Sequence, residues 1–110
     1  MPLATIEANP GEVWIVDFST IAKQRPVLVL AYPQPHDARA LVIVAPLTSQ
    51  IRGLRGEVDI GKPKWLPKHS AVNVQGLASL DPNSLERKLG RLPPSPLDSV
   101  KGAIRDLLNL

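Results

Sequence analysis

Cysteine is absent from the 110 residues, which removes disulfide frameworks, thiol nucleophiles and cysteine-ligated zinc or iron–sulfur centres in one step. Long hydrophobic runs are also missing. The longest, residues 40–47, falls far short of the ~20 residues a bilayer helix needs, and the opening MPLATIE carries neither a basic n-region nor an apolar h-region. The expectation is a cytoplasmic chain that does not engage a membrane. Aromatic residues are scarce: Trp14, Phe18, Tyr32 and Trp65 are the whole set. A length of this order excludes two separately packed cores. A 44% hydrophobic and 21% charged composition excludes a wholly disordered chain. The chain is therefore read as one domain over residues 1–110, with 1–9 as a flexible N-terminal segment. Proline, by contrast, is abundant. Twelve of them argue against long helices and for short strands joined by stiff loops. The net charge of +3 suits a phosphate-bearing partner.

Residues 12–18 read as a strand with Trp14, Val16 and Phe18 on one face. Residues 19–24 form a loop. Arg25-Pro26 then opens a second strand over 27–32, whose continuous apolar run suits burial on both faces and whose proline suits a first position. A third strand covers 40–47, with Pro46 ending or bulging it. Weak alternation marks a fourth over 57–60, the two prolines of residues 61–68 demand a loop, and 70–77 reads as a fifth. Asp81-Pro82 sets a capping side chain before a proline at the first helical position and predicts a short helix over 85–88, stopping near Gly90. Arg91-Leu92 follows as a last short strand. Ser95-Pro96-Leu97-Asp98 repeats the start signal, and Leu97, Val100, Ile104, Leu107 and Leu108 share one helical face. The sum is a mainly β chain with short helices, a small curled barrel with a C-terminal amphipathic helix packed on it.

Four segments, in this order and spacing, carry a family resemblance: Gly11-Glu12-Val13-Trp14-Ile15-Val16-Asp17-Phe18, Lys23-Gln24-Arg25-Pro26-Val27-Leu28-Val29-Leu30, Val44-Ala45-Pro46-Leu47-Thr48-Ser49-Gln50, and Leu80-Asp81-Pro82-Asn83-Ser84-Leu85 running to Leu89-Gly90-Arg91-Leu92. Together they resemble the PemK/MazF family of toxins. The resemblance implies an SH3-like barrel that forms a homodimer. It implies cleavage of single-stranded RNA at short sequences with no metal or other cofactor, and neutralisation by a co-encoded antitoxin. Operator DNA would be bound only as the toxin–antitoxin complex. It also implies that Arg25, of the Arg-Pro motif, and Thr48, of the Pro-Leu-Thr motif, are catalytic. Two departures stand out. The loop over residues 19–24 is short and lacks glycine, and Gln75-Gly76-Leu77-Ala78-Ser79-Leu80-Asp81 has glycine for the family's glutamine and no arginine two residues later.

RNA cleavage by the neighbouring 2′-hydroxyl needs a proton acceptor for that oxygen, a donor for the departing 5′-oxygen, and stabilisation of a dianionic transition state. Arg25 suits the last task, because a guanidinium is permanently charged and its planar fork grips two phosphate oxygens. Thr48 can donate its hydroxyl to a phosphate oxygen; its alternative is a turn-capping loop hydroxyl. Neither residue is an obvious base, and the sequence names none. The further candidates for holding RNA are Ser19, Lys23, Ser49, Arg52, Arg55 and Gln75. His36 and His69 raise a two-histidine acid–base pair as a minor alternative. Trp65, among Lys62, Lys64 and Lys68, either stacks on a base, receives the antitoxin or plugs the barrel end. Two rival readings keep the fold but drop the chemistry: a non-enzymatic toxin, and a lapsed RNA- or antitoxin-binding module.

Overall fold

The computed structural model describes residues 7–18 and 23–110. Among them are β1 (Glu12–Phe18), β2 (Lys23–Ala31), β3 (Val42–Thr48), β4 (Glu57–Gly61), β5 (Ser70–Asn73), β6 (Ala78–Leu80) and β7 (Leu85–Arg91), followed by one helix, α1 (Pro94–Leu108). Every pairing is antiparallel, in the order β4-β5-β3-β2-β1-β7, with β6 beside the first half of β3. No helix among the described residues is long and apolar enough to cross a membrane. Of the expected flexible segment, residues 1–6 lie outside the description, Ala8 is buried and the Asn9 N–H donates to Glu12.

The apolar runs of the first three strands feed two apolar clusters, one on each face of the same sheet, because successive side chains of a strand point to opposite faces. Val13, Leu28, Ala45 and Leu47 join Leu66, Val72, Val74, Leu92 and Val100 on one side. Trp14, Val16, Val27, Val29, Val42 and Val44 join Ala8 and Leu85 on the other. Full burial of one such side chain contributes about 1.5–3 kcal/mol. α1 lies against β4 and the turn after β5, burying Val100 and partly covering Leu97, Ile104 and Leu107, as its spacing predicts. Leu108 is the exception and stays exposed.

Both strand prolines sit inside strands. β2 is paired with β3 only from Val27 onward, so Pro26 lies where one side of the strand has no ladder to break. β3 runs straight through Pro46 to Thr48: it leaves β6 at Val44 and takes up β5 at Leu47, and Pro46 occupies the gap between the two partners. Two expectations fail further on. The fifth strand stops at Asn73, whose side chain accepts the Gln75 N–H at 3.1 Å and turns Val74–Gly76 into a 3-10 segment before β6. Residues 85–88 are strand, not helix. The Asp81 cap is real and accepts the Asn83 N–H at 2.9 Å, but it starts only the single turn Pro82–Ser84, after which the open edge of β1 captures the chain.

β1 and β7 are pinned by a buried carboxylate. Glu12 accepts the Asn9 N–H at 2.8 Å and the Trp14 indole N–H at 3.0 Å, and meets the Lys88 ammonium at 2.9 Å and the Arg91 guanidinium at 3.8 Å. Burial alone would raise this carboxyl; the Asn9 N–H, the Lys88 ammonium, the Trp14 indole and the Asn9 amide outweigh it and hold the group at about 2.

Trp65 is partly buried against the first of the two apolar clusters. It belongs to the loop after β4 yet packs on β7, where a Cβ added at Gly90 would fall 2.4 Å from its ring. This packing accords with the plug reading. Gly90→Ala is expected to displace the indole and cost about 1–3 kcal/mol, visible as a shifted tryptophan emission and a lowered unfolding midpoint.

Candidate active site

The order β5-β3-β2 sets the end of β3 between two walls. Thr48, its last residue, pairs with Ala71 of β5. On the other side, carrying the Val27↔Pro46 register two residues further places Arg25 across from Thr48. Both side chains line a cleft of about 420 Å³, together with Gln24, Ser49, Lys68 and Ser70, over an apolar base that includes Leu47 and Leu66. Among the described residues no carboxylate lines it. Arg25 is exposed, and no acidic side chain among the described residues comes within ion-pair distance of it. Its charge is therefore directed at solvent, or at an anion entering from it.

Thr48 accepts the Gln50 N–H on its hydroxyl oxygen at 3.0 Å. The turn-capping role and a ligand role coexist, since a hydroxyl that accepts from the backbone keeps its own proton to donate. Gln24 is held by donating its amide to Glu86 at 3.0 Å.

The other expected RNA contacts separate. Ser49 joins the cleft. Ser19 lies outside the described residues, as does the side chain of Lys23, whose backbone begins β2 two residues before Arg25. Arg52, Arg55 and Gln75 stand away from the cleft, around the loop after β3. That loop is held rather than loose: Glu57 accepts the Arg52 and Leu54 N–H groups at 2.9 and 3.1 Å, and Gln75 donates to the Arg55 carbonyl at 2.7 Å. Arg55 itself is drawn to α1, 3.7 Å from the Asp106 carboxylate. The departure at Gly76 has a steric reason, since a Cβ there would come 2.6 Å from the Pro46 ring.

The histidines do not pair. His36 precedes the Val42 end of β3, whereas His69 precedes β5 at the Thr48 end. His69 instead contacts Asp59 at 2.6 Å, and Asp59 is lowered below the ordinary carboxylate range by the Gly61 N–H first and His69 second. Lys68 and Ser70 were not read as site residues; both belong to the cleft because β5 pairs with β3.

The family model of the PemK-like, MazF-like toxin of type II toxin–antitoxin systems matches residues 9–108. The chain belongs to the PemK/MazF family. Endoribonuclease MazF6 of Mycobacterium tuberculosis is 34% identical over 94 residues, 81% of this chain and 82% of that one. The solved Mycobacterium tuberculosis toxin MazF-mt6 superposes with a TM-score of 0.76 at 30% identity, covering 90% of this chain and 97% of the other. A MazE–MazF structure from Deinococcus radiodurans matches with a TM-score of 0.77 at 27% identity, over 96% and 98%. This toxin is a MazF-like endoribonuclease of a type II system, which favours the nuclease over the two binding-only readings. Its fold is the expected one: a curled antiparallel sheet with one C-terminal helix.

Proposed function

We propose that this toxin cuts single-stranded RNA at short sequences, without a metal ion, by attack of the 2′-hydroxyl oxygen on the adjacent phosphorus. The new P–O2′ bond forms as the P–O5′ bond breaks, leaving a 2′,3′-cyclic phosphate and a 5′-hydroxyl. The observation that carries this reading is the meeting of Arg25 and Thr48 in one cleft whose lining, among the described residues, has cations and hydroxyls but no carboxylate. Arg25 stabilises the dianionic phosphorane, where charge develops beyond that of the bound diester. Thr48 donates to a phosphate oxygen and so fixes the line of attack. Unit for unit the toxin works as a homodimer in the cytoplasm and is neutralised by a cognate antitoxin, with which it binds operator DNA; relatives solved as MazE–MazF complexes support the antitoxin part.

The test is incubation with a long defined RNA in excess EDTA, with new ends mapped by primer extension and checked for 5′-hydroxyls. Discrete cuts are expected. Intact RNA, beside a family member that cuts in parallel, overturns the reading. Thr48→Val should slow single-turnover cleavage about 10- to 100-fold, the range of a hydrogen bond to a charged acceptor, while Thr48→Ser keeps most of the rate.

A further inference from the structure

We propose that Lys68 is a second phosphate-binding cation of the cleft, gripping the RNA backbone from the wall opposite Arg25. This rests on the reading of the cleft given above and adds a residue to it. Arg25 comes from β2 and Lys68 from the segment leading into β5, and β3, with Thr48 at its end, runs between them. Paired strands lie about 4.8 Å apart, and β2 is no longer paired with β3 at Arg25, so the two walls stand at least roughly two strand spacings from each other. That span suits a backbone lying over Thr48 with a cation on either side.

The segment carrying Lys68 is held in place. Ser70 donates its hydroxyl to the Lys68 carbonyl at 2.9 Å, and His69 is tied to Asp59 of β4 at 2.6 Å. Successive residues of an extended chain face opposite ways, which accords with Lys68 and Ser70 lining the cleft while His69 meets β4. No acidic side chain among the described residues is within ion-pair distance of Lys68. Two cations facing one cleft without a counter-ion repel each other until an anion arrives between them. A polyanion relieves that repulsion.

A lysine used this way acts as a point charge on the backbone. It therefore strengthens binding to any RNA sequence and adds to the salt dependence, without choosing the cut site.

The experiment uses a mixed-sequence single-stranded RNA with every 2′-hydroxyl methylated, so that it binds but cannot attack, together with the unmodified RNA for cleavage. Affinity is measured against salt for the wild type, Lys68→Gln and Lys68→Arg, with Arg25→Ala as a control in the cleavage assay. Lys68→Gln is expected to bind about tenfold more weakly. The slope of log affinity against log salt should become shallower by about 0.7, the contribution of one phosphate contact on a single strand. Lys68→Arg should restore both, and the cut positions should not change. Unchanged affinity and slope in Lys68→Gln, with Arg25→Ala inactive, overturn the role of Lys68 alone. Weaker binding with an unaltered salt slope also overturns it, because loss of packing would do that. Cleavage by Arg25→Ala at the wild-type rate overturns the cleft reading beneath it, and the proposal with it.

Discussion

Arg25→Ala is expected to slow single-turnover RNA cleavage about a thousandfold, the scale on which charged or preorganised groups aimed at a phosphoryl-transfer or oxyanion transition state act. Folding should be nearly untouched. Arg25 is exposed and, among the described residues, without a carboxylate partner, so its removal falls in the class of surface changes worth about 0.5 kcal/mol or less. A circular-dichroism melt beside the rate measurement separates the two effects. Arg25→Lys should recover only part of the loss, because an ammonium keeps the charge but cannot hold two oxygens in one plane. An Arg25→Ala protein that cuts at the wild-type rate would leave this residue as an ordinary strand-end cation.

Glu12→Gln, far from the chemistry, should have the largest effect on stability, about 3 kcal/mol near neutral pH. That is a substantial share of the roughly 5–15 kcal/mol by which small domains are stable. The amide can still accept from Asn9 or Trp14, but it turns an N–H donor or a neutral oxygen toward Lys88 and Arg91 where a carboxylate stood. The pH dependence follows from the lowered carboxyl. Held at about 2 in the folded chain against 4.5 ordinarily, it binds fewer protons folded than unfolded between those values. Its contribution is thus complete above about pH 4.5 and is lost as the pH falls toward about 2. Urea titrations of both proteins across that range should show the wild-type advantage shrinking with acidity. A gap that stays constant would mean the side chain acts through shape and not through charge.

The extent of β1, the buried run of β2 and the apolar face of α1 were legible because each is written locally, in alternation or in helical spacing. Arg25 and Thr48 stand out through the motifs around them, and the fold brings both to one cleft. What was illegible depends on partners distant in the chain. Residues 85–88 follow a sound helix-start signal, and only the unpaired edge of β1 makes them a strand. Residues 61–68 read as a proline-rich loop and nothing more; the pairing of β5 with β3 is what returns Lys68 to the side of Arg25. Glu12 reads only as part of the first strand, and no nearby residue announces the two cations that meet it. Pro46 misled in the opposite way. A proline normally ends a ladder, but here the ladder changes partner at that point, and the strand continues to Thr48.

The pairing of the first described strand with the last has a consequence for how the toxin comes into being. During synthesis β1 emerges well before its edge partner, and before the Lys88 and Arg91 that balance the Glu12 carboxylate. A nascent chain that already holds Arg25 and Thr48 still lacks β7 and the helix that covers one face of the sheet. Such long-range closure comes late and slowly in folding. A chain released before residue 85 would therefore keep an open β1 edge and leave the Glu12 carboxylate without either of its cations.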